Sequence, residues 1–343
     1  MIRIKRFIDF LPRSLRVERM IDGFVPVTSC NLRCHYCYVT QQGQFNNELP
    51  WFPHLDKIIG TAFSKKRLGG ICYVNLCAAG ETLLPPETTV IIRELLKAGH
   101  YVWVVTNGTI TKRFDELLKL PKGWLKRLAF KMSFHYLELK RLNLLESYFN
   151  TIKRIRKAGC SFSVELTPCD EYIPHIKDIQ KICMENAGAV CHVTVGRDTT
   201  KDRLPILTGL SKDEYIKMWS AFNSALFDYK ISVFGEKQNG FCYAGDYTST
   251  VNLGTGDLKQ CYEGKWLQNI YQNIKEPIKW EPIGCNCPES HCYNAHAFLT
   301  LGAIPDLNQT TPTYADMRNR ICADGAEWLT PKMKAFIGQK IEG

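Results

Sequence analysis

The chain has 343 residues, 45% of them hydrophobic, which fits one large α/β unit plus a further module. Its net charge of +10 is spread along the chain, with no stripe of basic residues interleaved with aromatics, so nucleic-acid binding is not the expected role. No run of about 18 apolar residues occurs, so no transmembrane segment is expected.

The N-terminal segment, residues 1–22, is broken by charges every few positions and lacks the apolar stretch and cleavage site of a secretory signal. A cytoplasmic chain is expected, with "RIKRFIDFLPRSL" read as a helix packed on the body of the fold; an amphipathic membrane-surface segment is the alternative. In a reducing compartment, 15 cysteines read as metal ligands, reactive thiols or small buried hydrophobes rather than as a disulfide framework.

From about residue 24, β-rich runs alternate with helical patterns. The strands are predicted at 24–28, 71–77, 101–106, 128–134, 161–167 and 191–196, and the main helices at 87–99, 143–159 and 173–188. Ala-Gly pairs at 98–99 and 158–159 mark helix stops. Six strands separated by crossovers imply a parallel sheet, closed as an open or partial (β/α) barrel. These strands are not the unbroken apolar runs of a sheet buried on both faces. Ser161, Ser163, Glu165 and Thr167 share one face, as do Lys131, Ser133 and His135, and Tyr73, Asn75 and Cys77. The polar face is expected to line a chamber; a solvated face of an open sheet is the alternative.

Residues 211–230 read as one long helix closing this unit, which spans 23–230. In the remaining module, 231–343, "YTSTVNL", the turn "GTGD" and "LKQCYE" read as a β-hairpin. The cysteine-rich "GCNCPESHCYNAH" (284–296) and a helical-looking C-terminal stretch carrying Cys322 follow.

The stretch "CNLRCHYCY" places Cys30, Cys34 and Cys37 in one tight loop. Cubane [4Fe–4S] clusters have four irons, and cysteine sites ordinarily supply four ligands. Three thiolates from this loop leave one iron open to a small molecule. A zinc site needs a fourth ligand, and the adjacent His35 is constrained by its neighbours in the loop.

"CNLRCHYC" resembles the C-x3-C-x-aromatic-C signature of the radical S-adenosylmethionine (radical SAM) enzymes. The resemblance implies a partial (β/α)6 barrel and an open iron that binds the amino and carboxylate groups of S-adenosylmethionine. It also implies reductive cleavage of that cofactor, hydrogen-atom abstraction from substrate, and an electron donor such as flavodoxin or ferredoxin. Tyr36 matches the position beside the adenine. "CAAGETLL" (77–84) resembles the family's "GGEPLL" element, with Gly80 and Glu81 at its Gly-Glu and Ala79 and Thr82 as departures. Thr106 and Asn107 resemble the polar end of the third strand. Ser133, Glu165 and Arg197 fall at strand ends where the family contacts ribose and carboxylate. The similarity covers about residues 22 to 200.

The C-terminal cysteines look like the auxiliary-cluster extension called SPASM, or its shorter form, twitch. "GDLKQC" matches G-x4-C, but Cys285-x-Cys287-x4-Cys292 departs from the family's spacing, and His296 stands where the last cysteine belongs. At least one auxiliary [4Fe–4S] cluster is expected from Cys242, Cys261, Cys285, Cys287, Cys292 and Cys322, with His296 as a candidate ligand; a structural zinc site is the alternative. Cys77 and Cys169, at strand C-termini, are candidate hydrogen-atom donors. His135 is a candidate substrate contact. The expected substrate is a peptide or protein side chain. Against that choice, only 29 residues precede Cys30, so no leader-peptide-binding domain is expected there. The alternatives are dehydrogenation or epimerisation of a sugar, aminocyclitol or polysaccharide precursor, and a non-catalytic metal- or nucleic-acid-binding protein.

Overall fold

The computed structural model describes residues 15–50, 52, 55–285 and 287–342. The N-terminal helix expected within 1–22 lies, up to residue 14, outside the described residues. Among the described residues nine strands make one sheet: β1 (Arg19–Val25), β2 (Cys72–Ala78), β3 (Tyr101–Thr106), β4 (Leu128–Ser133), β5 (Ser161–Leu166), β6 (His192–Val193), β7 (Thr248–Asn252), β8 (Asp257–Lys259) and β9 (Trp266–Asn269). Their order is β6-β5-β4-β3-β2-β1-β7-β8-β9. The first six are parallel and follow chain order, with helices in the crossovers, which is the expected α/β partial barrel. β7 runs parallel to β1 on the other side, and β8 and β9 follow it antiparallel. The hairpin of the C-terminal module thus extends the barrel sheet across position 230.

The crossover helices form where apolar residues recur at helical spacing, and they stop at glycine. Glu87–Ala98 ends at Gly99 (φ 99°) and Leu145–Ala158 at Gly159 (φ 81°), left-handed conformations that cost glycine no Cβ clash. Val74, Leu76, Val102, Val104, Phe130, Met132, Phe162 and Val164 face these helices in the larger core. Burying one such side chain contributes about 1.5–3 kcal/mol.

The first strand begins earlier than residue 24. Within it, Asp22 is buried and accepts hydrogen bonds from Asn75 Nδ2 (2.6 Å), Asn294 Nδ2 (3.1 Å) and the Tyr262 hydroxyl. A Cβ at Gly23 would lie 2.9 Å from Leu76 Cδ2. Partners on β2 and in the C-terminal module hold the strand through these two residues. The 211–230 helix is broken: Lys212–Trp219, a 3-10 turn over Ser220–Phe222, Asn223 at φ 44°, then Ala225–Ser232 capped by Ser224. The C-terminal helix is only Pro331–Ile337. Asp324–Gly325 makes a turn instead, closed by Cys322 N–H to Ala326 O (2.7 Å) and Trp328 N–H to Arg320 O (3.0 Å).

The lumen is a chamber only at its upper end. Below, the polar face meets the C-terminal segment. Tyr314 packs on Tyr73 and Trp103 with ring centroids 5.3 and 5.9 Å away, and Phe336 stacks on Tyr101 at 3.6 Å. Arg318 enters the same space, 1% exposed, and its Nη1 donates to Glu165 Oε1 at 2.5 Å. Lys131 Nζ lies 3.3 Å from Glu165 Oε2. Burial works to raise the Glu165 pKa, but Arg318 and Lys131 outweigh it and bring it to about 2. The resulting stabilisation is present above the ordinary carboxylate value and is lost as pH falls toward 2.

Glu165→Gln leaves Arg318 buried without its counter-charge and is expected to cost about 3 kcal/mol at neutral pH. Urea unfolding should show the gap from wild type closing as pH falls from about 4 toward 2. A neutral-pH difference below about 1 kcal/mol contradicts the role given to the pair.

Candidate active site

Cys30, Cys34 and Cys37 line one cavity of about 370 Å³ at the C-terminal ends of the parallel strands. The loop is held from within: Cys37 N–H donates to Cys34 O (3.1 Å), and Thr40 Oγ1 donates to the same carbonyl (2.8 Å). Leu32 N–H and Asn107 Nδ2 approach Cys30 Sγ at 3.4 and 3.7 Å. Burial pushes the Cys30 thiol up to about 11, with Glu81 adding to the effect. Cys34 is driven higher by burial and then by Cys37 and Cys30. Such thiols hold their protons in the free protein, so ligation must displace them.

The Gly-Glu turn sets the floor under this loop. Gly80 N–H donates to Val27 O (2.7 Å) and Glu81 N–H to Ser29 O (2.9 Å), which carries the β1–β2 pairing up to Cys30. A Cβ on Gly80 would stand 2.0 Å from Ser29 O, so no larger residue fits. The Glu81 carboxylate accepts from Leu83 N–H (2.9 Å), Thr106 Oγ1 (2.6 Å) and Asn107 N–H (2.7 Å). It is buried, and burial raises its pKa against these hydrogen bonds. Asn107 Nδ2 in turn reaches Asn31 Oδ1 at 2.9 Å.

Tyr36, Gly80, Glu81, Thr106, Asn107, Ser133 and Arg197 all line the cavity. Glu165 does not; its carboxylate belongs to Arg318 and Lys131 deeper in the lumen. The Tyr36 hydroxyl meets His135 Nδ1 (2.7 Å) and the Tyr172 hydroxyl (3.0 Å). Burial and then Lys131 lower the His135 pKa to about 4, so its ring is neutral at physiological pH. Two wall contacts were not legible in the sequence. Gln41 Nε2 donates to Tyr36 O (2.8 Å) and Arg197 O (3.1 Å), tying the cysteine loop to the segment after β6. Lys230 reaches the wall because the break at Asn223 redirects its helix, and its Nζ donates to Thr194 Oγ1 at 2.7 Å. In the sequence it is one polar residue among several on a helical pattern.

A second cavity, about 50 Å³, is lined by Cys242, Cys261, Cys287 and Cys292. The bridge between Cys242 and Gly284 brings the late cysteines alongside the hairpin. Burial pushes Cys242 up to about 11 and Cys292 up to about 12, and Cys261 and Cys287 act on both. Three expected members of this set lie elsewhere. Cys285 is exposed and off the cavity wall. Cys322 is buried against the C-terminal ends of the helices Leu145–Ala158 and Ile176–Ala187: Arg156 Nη2 donates to its Sγ at 3.1 Å, and Sγ lies 3.6 Å from Ala187 O. The Asp-Gly turn at 324–325 directs it there. His296 does not line the four-cysteine cavity; it stands beside Lys230 and Arg197.

Neither candidate hydrogen-atom donor lines the 370 Å³ cavity. Cys77 Sγ is spent on Asp22 Oδ1 (3.4 Å), with the Tyr262 hydroxyl at 3.8 Å. Cys169 is buried in a cluster with His35 and Glu171 whose ligand atoms lie within 4.8 Å of one another. His35 Nε2 already pairs there with Glu171 Oε2 at 2.9 Å. A donor thiol has to face substrate, so this arrangement argues against both.

Gly80→Ala is expected to displace the 27–30 backbone. Native-state thiol alkylation should then run faster at Cys30, Cys34 and Cys37 than in wild type. A wild-type alkylation rate contradicts the role of the turn.

Residues 24–171 match the family model described as Radical SAM superfamily. Over 108 residues the chain is 29% identical to a 7-carboxy-7-deazaguanine synthase of Methanospirillum hungatei JF-1, a stretch covering 30% of this chain and 42% of that one. The fold is similar to Streptococcus suis SuiB bound to its precursor peptide SuiA, with a TM-score of 0.50 at 13% identity over 76% of this chain and 64% of that one. SuiB alone gives a TM-score of 0.49 at 14% identity, covering 76% and 65%. The chain thus spans less than half of the synthase and under two thirds of SuiB. Among the described residues no helix is long and apolar enough to cross a membrane. The three cysteine thiols on the wall of the strand-end cavity and the Gly-Glu turn beneath them all fall within residues 24–171, the stretch that matches the Radical SAM superfamily model.

Proposed function

We propose that Cys30, Cys34 and Cys37 hold a [4Fe–4S] cluster, that the adjoining cavity binds S-adenosylmethionine, and that the substrate is a peptide or protein side chain inserted into the upper lumen. The carrying observation is the shape of the lumen. It is plugged below by Tyr314, Arg318 and Phe336 and open above, so it accepts one projecting group rather than a through-running chain. The donor set fits the cluster: three thiols share one wall, and soft thiolates suit iron–sulfur ligation. When bound, cluster and cofactor supply one-electron cleavage of S-adenosylmethionine and, through it, hydrogen-atom abstraction.

The chain's own residues bind and orient. Thr106, Asn107 and Ser133 offer hydroxyl and amide groups along the wall. Arg197 Nε is buried without a partner on the same wall, which suits a carboxylate. Tyr36, fixed by His135 and Tyr172, presents a flat rim beside the cysteines. Cys242, Cys261, Cys287 and Cys292 form a complete four-thiol set, and we assign an auxiliary [4Fe–4S] cluster to it. A second substrate class, a small polar molecule undergoing dehydrogenation or epimerisation, is favoured by the cations Arg197 and Lys230 on the cavity wall.

Anaerobic reconstitution with a reductant is expected to yield 5′-deoxyadenosine from S-adenosylmethionine, and none once Cys30, Cys34 and Cys37 are all replaced by Ala. Absence of the product from wild type with clusters intact contradicts the reading. The same triple variant should retain about four irons and four sulfides per chain. Zinc in their place, or no metal at all, contradicts the auxiliary cluster.

A further inference from the structure

The inner wall of the cavity carries more positive charge than the protein itself neutralises. Lys230 is half-buried on this wall, and of its three ammonium donors only one is used, to Thr194 Oγ1. No carboxylate among the described residues forms an ion pair with it, and its strongest charged neighbours are Arg197, Lys131, Arg318 and Glu165. Glu165 is already engaged by Arg318 and Lys131. Beside Lys230 and Arg197 lies His296, whose Nδ1 is buried with no hydrogen-bond partner, as is Arg197 Nε. Withdrawing a cation from water costs several kcal/mol unless an anion compensates it, and orphaned buried donors add to that cost. Burial and then the neighbouring cations drive the Lys230 pKa well down, so a bound anion would favour its protonated form.

We propose that Lys230 forms an oxyanion subsite for the substrate beside the recess that holds His296, so that the substrate presents a carboxylate, phosphate or sulfate group to the inner end of the cavity. The proposal rests on reading this cavity as the chamber for cofactor and substrate. Lys230 lines both the main cavity and the small recess holding His296, Arg197 and Cys292, so the subsite lies toward the four-cysteine module. An anion there takes charge-assisted hydrogen bonds from the free ammonium donors of Lys230. This fixes which end of the substrate points inward. Both substrate classes remain compatible with it, as an acidic or phosphorylated side chain or as an anionic sugar derivative.

The test uses reconstituted holoenzyme with saturating S-adenosylmethionine and inorganic phosphate as the probe, against potassium chloride at equal ionic strength. Phosphate is expected to raise the melting temperature of wild type beyond the chloride control. In Lys230→Met its apparent affinity should fall at least about tenfold, the loss of a charge-assisted hydrogen bond. Should that variant fail to fold, Lys230→Gln keeps a donor for Thr194 and answers the same question. An equal phosphate response in the variant, or none in wild type, overturns the proposal. So does a response that S-adenosylmethionine abolishes, because the anion site is then the cofactor's own. Dialysis of the same wild-type sample against S-adenosylmethionine separates the two readings: failure to bind the cofactor contradicts the cavity assignment, whereas cofactor binding without a phosphate response contradicts the oxyanion subsite alone.

Discussion

The Glu81 carboxylate is the contact on which the site depends. One buried side chain accepts hydrogen bonds from the turn after β2 and from both residues at the end of β3. Asn107, fixed in this way, reaches Asn31 and Cys30, while Gly80 presses its backbone on residues 27–29. The ends of three strands and the cysteine loop are thus one hydrogen-bonded unit. A ligand loop with freedom to move could not hold three thiols against one cavity, and orienting partners behind metal ligands are what hold such sites in shape.

Deeper in the lumen, a different interaction sets the floor. Parallel strands with a polar inner face need either solvent or a plug. Here the plug is the C-terminal segment, which brings the aromatic Tyr314 and the cation Arg318 to match Tyr73, Trp103 and Glu165. The barrel and the cysteine-rich module therefore share a core, and β7 shares the sheet as well. The four-thiol cavity and the first three cysteines are thus borne on one sheet. Arg197, whose Nη2 donates to Tyr293 O at 2.8 Å beside Cys292, joins the two sites directly.

Much of this was legible in the sequence. β-rich runs located five of the six barrel strands, and period-2 alternation in three of them marked a face that packs on helices and a face that meets polar or aromatic partners. The tight Cys30–Cys37 spacing and the Gly-Glu turn are local patterns that chemistry constrains closely, and the residues they named stand on one wall. What escaped was set by distant partners. β1 runs through Asp22–Gly23 because Asn75, Asn294 and Tyr262 satisfy the buried carboxylate. Glu165 looked like a wall residue until Arg318, in a stretch read as helix, arrived to claim it. Cys322 and Cys285 counted as ligands by type, but a turn and an exposed loop carry them away from the four that converge.

The central claim is that three thiolates, not four, leave a place on the first cluster for S-adenosylmethionine. The most direct measurement is electron paramagnetic resonance of the reduced cluster, in protein whose Cys242, Cys261, Cys287 and Cys292 are replaced by Ser to remove the second signal. Adding S-adenosylmethionine should shift the g-values of the remaining [4Fe–4S] signal, as expected when a new ligand joins one iron. A spectrum unchanged by saturating cofactor contradicts the account.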